Sequence, residues 1–95
     1  SRPALLALLQ AIGDEDEAVR RAAVAALGRL GSQAREAVPA LIGTLRDDGL
    51  REAAAESLVR IGLPAVPGLL DAVQHGTSVV RWQAAEALTR IGRAS

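Results

Sequence analysis

The thirteen residues Val19-Arg-Arg-Ala-Ala-Val-Ala-Ala-Leu-Gly-Arg-Leu-Gly31 return twice without a gap. The copies are Leu50-Arg-Glu-Ala-Ala-Ala-Glu-Ser-Leu-Val-Arg-Ile-Gly62 and Val80-Arg-Trp-Gln-Ala-Ala-Glu-Ala-Leu-Thr-Arg-Ile-Gly92, at offsets of 31 and 30 residues. Each copy holds an aliphatic, Arg, an Ala pair, Leu, Arg, Leu or Ile, and Gly. Ala23, Leu27 and Leu30 fall at i, i+4 and i+7, which puts them on one face of a helix. Ala54, Leu58 and Ile61 repeat that face, as do Ala84, Leu88 and Ile91. Gly31, Gly62 and Gly92 then stand where a helix is expected to end in a left-handed residue.

A second motif precedes each of these. It reads Ala7-Leu-Leu-Gln-Ala-Ile-Gly-Asp14, then Ala40-Leu-Ile-Gly-Thr-Leu-Arg-Asp47, then Gly68-Leu-Leu-Asp-Ala-Val-Gln-His75. Pro39 and Pro67 stand just before the second and third copies, in a first turn where a missing N–H costs least. Asp14 and Asp16, Asp47 and Asp48, and Gly76 with Thr77 and Ser78 punctuate the turns. Each unit therefore reads as helix A, a short turn and helix B. The expected helices are 3–13, 17–30, 33–46, 49–61, 65–75 and 78–92, in repeats 1–31, 32–62 and 63–95 of one domain. One hairpin cannot bury its apolar face alone, whereas stacked hairpins can. The expected fold is all-α, a right-handed solenoid of six helices.

Composition agrees with a small helical domain. About half of the 95 residues are apolar, and Trp82 is the only aromatic, so Leu, Ile, Val and Ala must build the core. No Cys is present, which excludes disulfides and thiolate metal sites. All eleven basic residues are Arg, without Lys or Asn, as in proteins of GC-rich bacterial genomes. Formal net charge is zero, so no global field draws the chain to nucleic acid or an anionic membrane. No apolar run approaches a membrane span and no signal peptide is visible, which makes the cytoplasm the default location. The start at Ser1 points to a piece of something longer. So regular a repeat fits a natural or an engineered origin.

The run Pro39-Ala-Leu-Ile, a turn Asp, Leu-Arg, Ala-Ala and Leu-Val-Arg-Ile-Gly62 resembles the HEAT-like repeat named after phycobilisome lyases, over nearly the whole chain. The ankyrin and tetratricopeptide patterns do not fit. In the resembled family, the turn Asp and the Arg of helix B often form a ladder between adjacent repeats. The resemblance therefore implies a ladder of Asp14, Asp47, Arg20, Arg51 and Arg81, with Asp14 meeting Arg51 and Asp47 meeting Arg81. Two departures stand out: the turn of unit 2 at Asp48-Gly49 is two residues shorter, and His75 replaces the turn Asp in unit 3.

Catalytic and metal chemistry find little support. His75 is the only histidine, with no Cys or second His to complete a metal site. A triad would need a nucleophile held by His75, and Ser78 shares its turn, which favours a plain exposed residue. Asp14-Glu-Asp-Glu17 lacks the calcium-loop pattern and puts negative charge at the start of a B helix, where the helix dipole favours it. No phosphate-binding glycine loop appears. Arg29, Arg60 and Arg90 form one column and Arg20, Arg51 and Arg81 another. Arg columns can meet phosphates, as on the basic face of some HEAT-like DNA glycosylases. Glu52, Glu56 and Glu86 share the same helices, so solvated or laddered Arg is the better reading.

Trp82 is the most informative residue. Its counterparts, Arg21 and Glu52, mark a position that tolerates charge and is exposed. A lone exposed Trp beside Gln83 and Glu86 has the character of a binding hot spot. It fits equally a cover for the open end of the stack, or a contact with a further repeat. The expected function is a protein-interaction or scaffolding module, neither an enzyme nor dependent on a cofactor. Its partner would lie on the concave face of the B helices, over Arg21, Glu52, Glu56, Trp82, Gln83 and Glu86. An alternative is a self-assembling unit, a homo-oligomer through apolar ends, because Ala4-Leu-Leu-Ala-Leu-Leu9 is apolar nearly all round. A third reading, from the family name alone, is a fragment of an enzyme like the bilin lyases.

Overall fold

The computed structural model describes residues 2–94. Among them are six α-helices: α1 (Arg2–Ala11), α2 (Glu17–Leu30), α3 (Val38–Thr44), α4 (Arg51–Ile61), α5 (Val66–His75) and α6 (Ser78–Ala94). They pair as three hairpins, α1–α2, α3–α4 and α5–α6, stacked into an all-α solenoid. The second helices form one layer and the first helices the other. Contact within the layer of second helices, α2 on α4 and α4 on α6, is more extensive than contact between α3 and α5. No single helix among the described residues is long and apolar enough to cross a membrane.

The core is aliphatic, as it must be in a chain with one aromatic residue. Val24, Leu27, Leu41, Leu45, Leu50, Leu58 and Leu69 are fully buried. Ala23, Ala54 and Ala84 are buried at one register position of the three B helices, and there the missing side-chain volume lets the layers close up. Leu27, Leu58, Ile61 and Ile91 are buried as the periodicity predicts, while Leu30 and Leu88 are half-buried.

Most helix ends shift by one or two residues from expectation, and the start of the third helix shifts furthest. The helix expected over 33–46 begins as a 3₁₀ segment, Gly31–Ala37, broken at Ala34 (φ −97°, ψ 23°), and becomes α-helical only at Val38. Pro39 explains the restart: it has no N–H to give to the carbonyl four residues back, and it is tolerated only in a first turn. Pro67 does the same after the 3₁₀ turn Leu63–Ala65.

The glycines divide. Gly31 (φ 61°, ψ −139°) and Gly62 (φ 81°, ψ −137°) end α2 and α4 with positive φ, in a region close to the one only glycine occupies comfortably. Gly92 does not end a helix: α6 runs through it to Ala94, and its φ is not positive. At Gly31 and Gly62 the chain must turn at once into the next hairpin, whereas at Gly92 the helix continues.

Candidate protein-binding surface

The side chains that face outward from the layer of second helices are set by the same period that buries Leu58 and Ile91. α4 presents Glu52, Ala55 and Glu56 to a groove, and α6 presents Trp82, Gln83, Glu86 and Arg90 to its other wall. The groove encloses about 330 Å³. A smaller one, of about 220 Å³, lies between α2 and α4, lined by Ala25, Arg29, Ala53, Glu56, Ser57 and Arg60. Glu56 lines both, so the two grooves share one surface.

Glu56 is also where the charges meet. Its carboxylate accepts a hydrogen bond of 2.7 Å from Arg90 Nη2, 34 residues away, and one of 3.2 Å from Arg60 Nε, one turn along α4. The Arg90 hydrogen bond, helped by Arg60 and by the positive charge of both, holds the Glu56 carboxyl below the usual carboxylate range against the opposing effect of burial. This ties α4 to α6 across the groove. Glu52, Glu86 and Arg29, by contrast, have no hydrogen-bonding or ion-pair partner among the described residues. Trp82 is 63% exposed, the second most exposed large apolar side chain among the described residues after Leu63.

Five of the six residues expected on the contact surface thus line one groove: Glu52, Glu56, Trp82, Gln83 and Glu86. The sixth, Arg21, does not. Its guanidinium donates to Glu17 Oε2 at 2.5 Å and to the Gly49 carbonyl at 2.8 Å, so it braces the turn between α3 and α4. Arg90 was legible only as a member of an Arg column; its place in the groove comes from the 34-residue contact with Glu56.

The expected ladder has a different wiring. No ion pair joins Asp14 to Arg51 or Asp47 to Arg81 among the described residues. Arg20 instead donates to the carbonyls of Asp14 (2.8 Å) and Glu15 (3.0 Å), and Arg51 to those of Leu45 (2.8 Å) and Arg46 (3.4 Å). Arg51 therefore serves carbonyls left open where α3 ends, a place that favours positive charge, while Arg20 serves carbonyls of the turn that leads into α2. The turn aspartates are engaged too: Asp14 Oδ1 accepts from the Asp16 N–H and Asp47 Oδ1 from the Gly49 N–H, both two residues on. The one ion pair linking these ladder residues between repeats runs in the opposite sense, Arg20 Nη2 to Asp47 Oδ2 at 3.7 Å.

His75 ends α5 with both it and Asp71 exposed, Nδ1 lying 3.8 Å from Asp71 Oδ1. No cluster of three or more His, Cys, Asp or Glu fit to hold a metal ion occurs among the described residues. Asp16 caps α2, its carboxylate accepting from the Ala18 N–H at 2.8 Å, which gives the acidic run a structural use.

No curated protein matches the chain significantly. A family model described as HEAT repeats matches residues 3–89. With three stacked helical hairpins, a layer of second helices in close contact and a match over nearly the full length, the chain belongs to the HEAT-repeat family.

Proposed function

We propose that this chain is a protein-recognition module whose partner lies along the second helices, over the groove between α4 and α6. HEAT repeats in general mediate protein–protein contact and scaffolding. The closer packing of α2, α4 and α6 supports reading their surface as the concave side of the stack. The observation that carries the proposal is Trp82. An indole left largely in water forgoes a burial contribution on the order of 2–3 kcal/mol, and here it stands on a groove between unpaired carboxylates. Aromatic anchors of this kind dominate the energy of protein interfaces. The module is proposed to be non-catalytic, without a nucleic-acid or membrane partner. The finer resemblance, to the phycobilisome-lyase type of repeat, is proposed on the run Pro39-Ala-Leu-Ile, a turn Asp, Leu-Arg, Ala-Ala and Leu-Val-Arg-Ile-Gly62.

The test is partner recovery with immobilised wild type, a Trp82→Ala/Glu86→Ala variant and a Gln74→Ala control on the opposite layer. Proteins held by the wild type and the control should be lost from the double variant. Equal recovery on all three would remove the groove from the account.

One observation favours a second reading, self-association through the outer face of α1. Leu6 is 49% exposed, and Leu8 and Ile12 are only half-buried although Leu41 and Leu45, at the same register positions of the second repeat, are fully buried. Mass by light scattering that rises with concentration, and stays constant for Leu6→Glu, would support it.

A further inference from the structure

The two grooves of the proposed contact surface differ in sign. The groove between α2 and α4 carries Arg29 and Arg60 against Glu56. The groove between α4 and α6 carries Glu52, Glu56 and Glu86 against Arg90 alone, an excess of two negative charges. Glu56 is already held by Arg60 and Arg90. The surplus therefore sits on Glu52 and Glu86, which are unpaired among the described residues and stand on opposite walls of the groove. Trp82 lies on the same wall as Glu86 and one helical turn before it, so indole and carboxylate share a face.

Carboxylates on a helix surface are ordinary, and alone they would say nothing. The exposed indole changes the chemistry. The face of a Trp ring attracts a cation within about 6 Å of its centre, most strongly when the cation is partly desolvated. A guanidinium stacked on Trp82 can give N–H bonds to Glu52 on one side and Glu86 on the other. An acidic side chain in the same place would meet two like charges.

We propose that the groove between α4 and α6 is a subsite for a cationic side chain, arginine above all, on an extended segment of the partner protein. This deepens the reading of the surface given above and rests on it. Arginine suits the site better than lysine because its planar group stacks and bonds in two directions at once. Arg29, unpaired in the neighbouring groove, sets a limit: a segment dense in positive charge is repelled where it crosses α2. The fitting partner carries an isolated cation, not a polybasic run.

Trp82 is the only tryptophan, so its indole N–H is a single resonance that reports on the site. The experiment titrates the chain with acetylated and amidated Gly-Ser-Xaa-Ser-Gly peptides, where Xaa is Arg, Gln or Glu. Expected is a saturable shift of the Trp82 indole signal with the Arg peptide, at least fivefold weaker binding of the Gln peptide and no binding of the Glu peptide. A Glu52→Gln/Glu86→Gln variant, checked by an unchanged thermal midpoint, should bind the Arg peptide at least fivefold more weakly. A charge-independent shift, or no saturable shift with the Arg peptide, overturns the subsite. The wider reading then stands or falls separately, on whether partner recovery depends on Trp82.

Discussion

Ser57 Oγ donates a buried hydrogen bond of 2.7 Å to the Val24 carbonyl, 33 residues earlier in the chain, and so joins α4 to α2. The approach is close because residue 28, one turn on from Val24, is glycine. A Cβ placed there would stand 2.6 Å from Ser57 Oγ and 3.0 Å from Ser57 Cα.

Gly28→Ala should therefore destabilise the fold, although alanine is the better helix former. The helix preference is worth up to about 1 kcal/mol, while crowding a packed core costs about 1–3 kcal/mol. Chemical denaturation should show a net loss near 1 kcal/mol. Adding Ser57→Ala removes the nearest clash, so the double variant should lose less than the two single changes together. Strict additivity would mean that the helices move apart freely.

Equivalent glycines of the repeat should answer oppositely to alanine. Gly62 sits at φ 81°, where a side chain is strained whatever the space, so Gly62→Ala should cost about 1–3 kcal/mol. Gly92 is helical and a Cβ there meets nothing within 4 Å. Gly92→Ala should stabilise by a few tenths to about 1 kcal/mol. Denaturant midpoints that fell for both would mean that α6 ends at Gly92 after all.

Arg51 and Arg93 separate structural from solvated arginine. Arg51 serves two carbonyls at the end of the first helix of its hairpin, with Nε 2.8 Å from Leu45 O, and its ion pair to Asp48 is at the surface. Arg51→Ala should lower stability by about 1–2 kcal/mol, chiefly through the carbonyls. Exposed Arg93 has no such partner among the described residues, and Arg93→Ala should stay within about 0.5 kcal/mol. Equal thermal midpoints for the two variants would dismiss the capping role.

Glu56 forms an acid-sensitive tie between α4 and α6. Its carboxyl titrates below the usual carboxylate range in the folded chain, first because of the hydrogen bond from Arg90. Across that window the unfolded chain binds the proton more readily, so stability rises with pH. The contribution is present above the ordinary carboxylate value and is lost as pH falls through the depressed one. Glu56 is part-exposed, which keeps the effect small. As pH falls below the ordinary carboxylate value, thermal midpoints should fall less steeply for Glu56→Gln than for the wild type. Parallel slopes would show that the tie adds nothing.

Read alone, the sequence determined the repeat register, the order of the helices and the faces they bury. Those properties are local: Ala54, Leu58 and Ile61 share a face because a helix turns every 3.6 residues, and Gly62 is required because the next turn comes at once. It also brought Glu52, Glu56, Trp82, Gln83 and Glu86 to one surface, since equal repeat positions stack in columns. Tertiary structure decided what those columns do. Whether Arg20 reaches Asp47, whether Arg90 reaches Glu56, and how near Ser57 comes to Gly28 all depend on shifts of an ångström or two between helices of adjacent repeats. Hydrogen bonds and ion pairs are lost over such distances, while the hydrophobic period is indifferent to them. The order of the helices and the faces they bury were therefore legible, and the wiring of the polar surface was not.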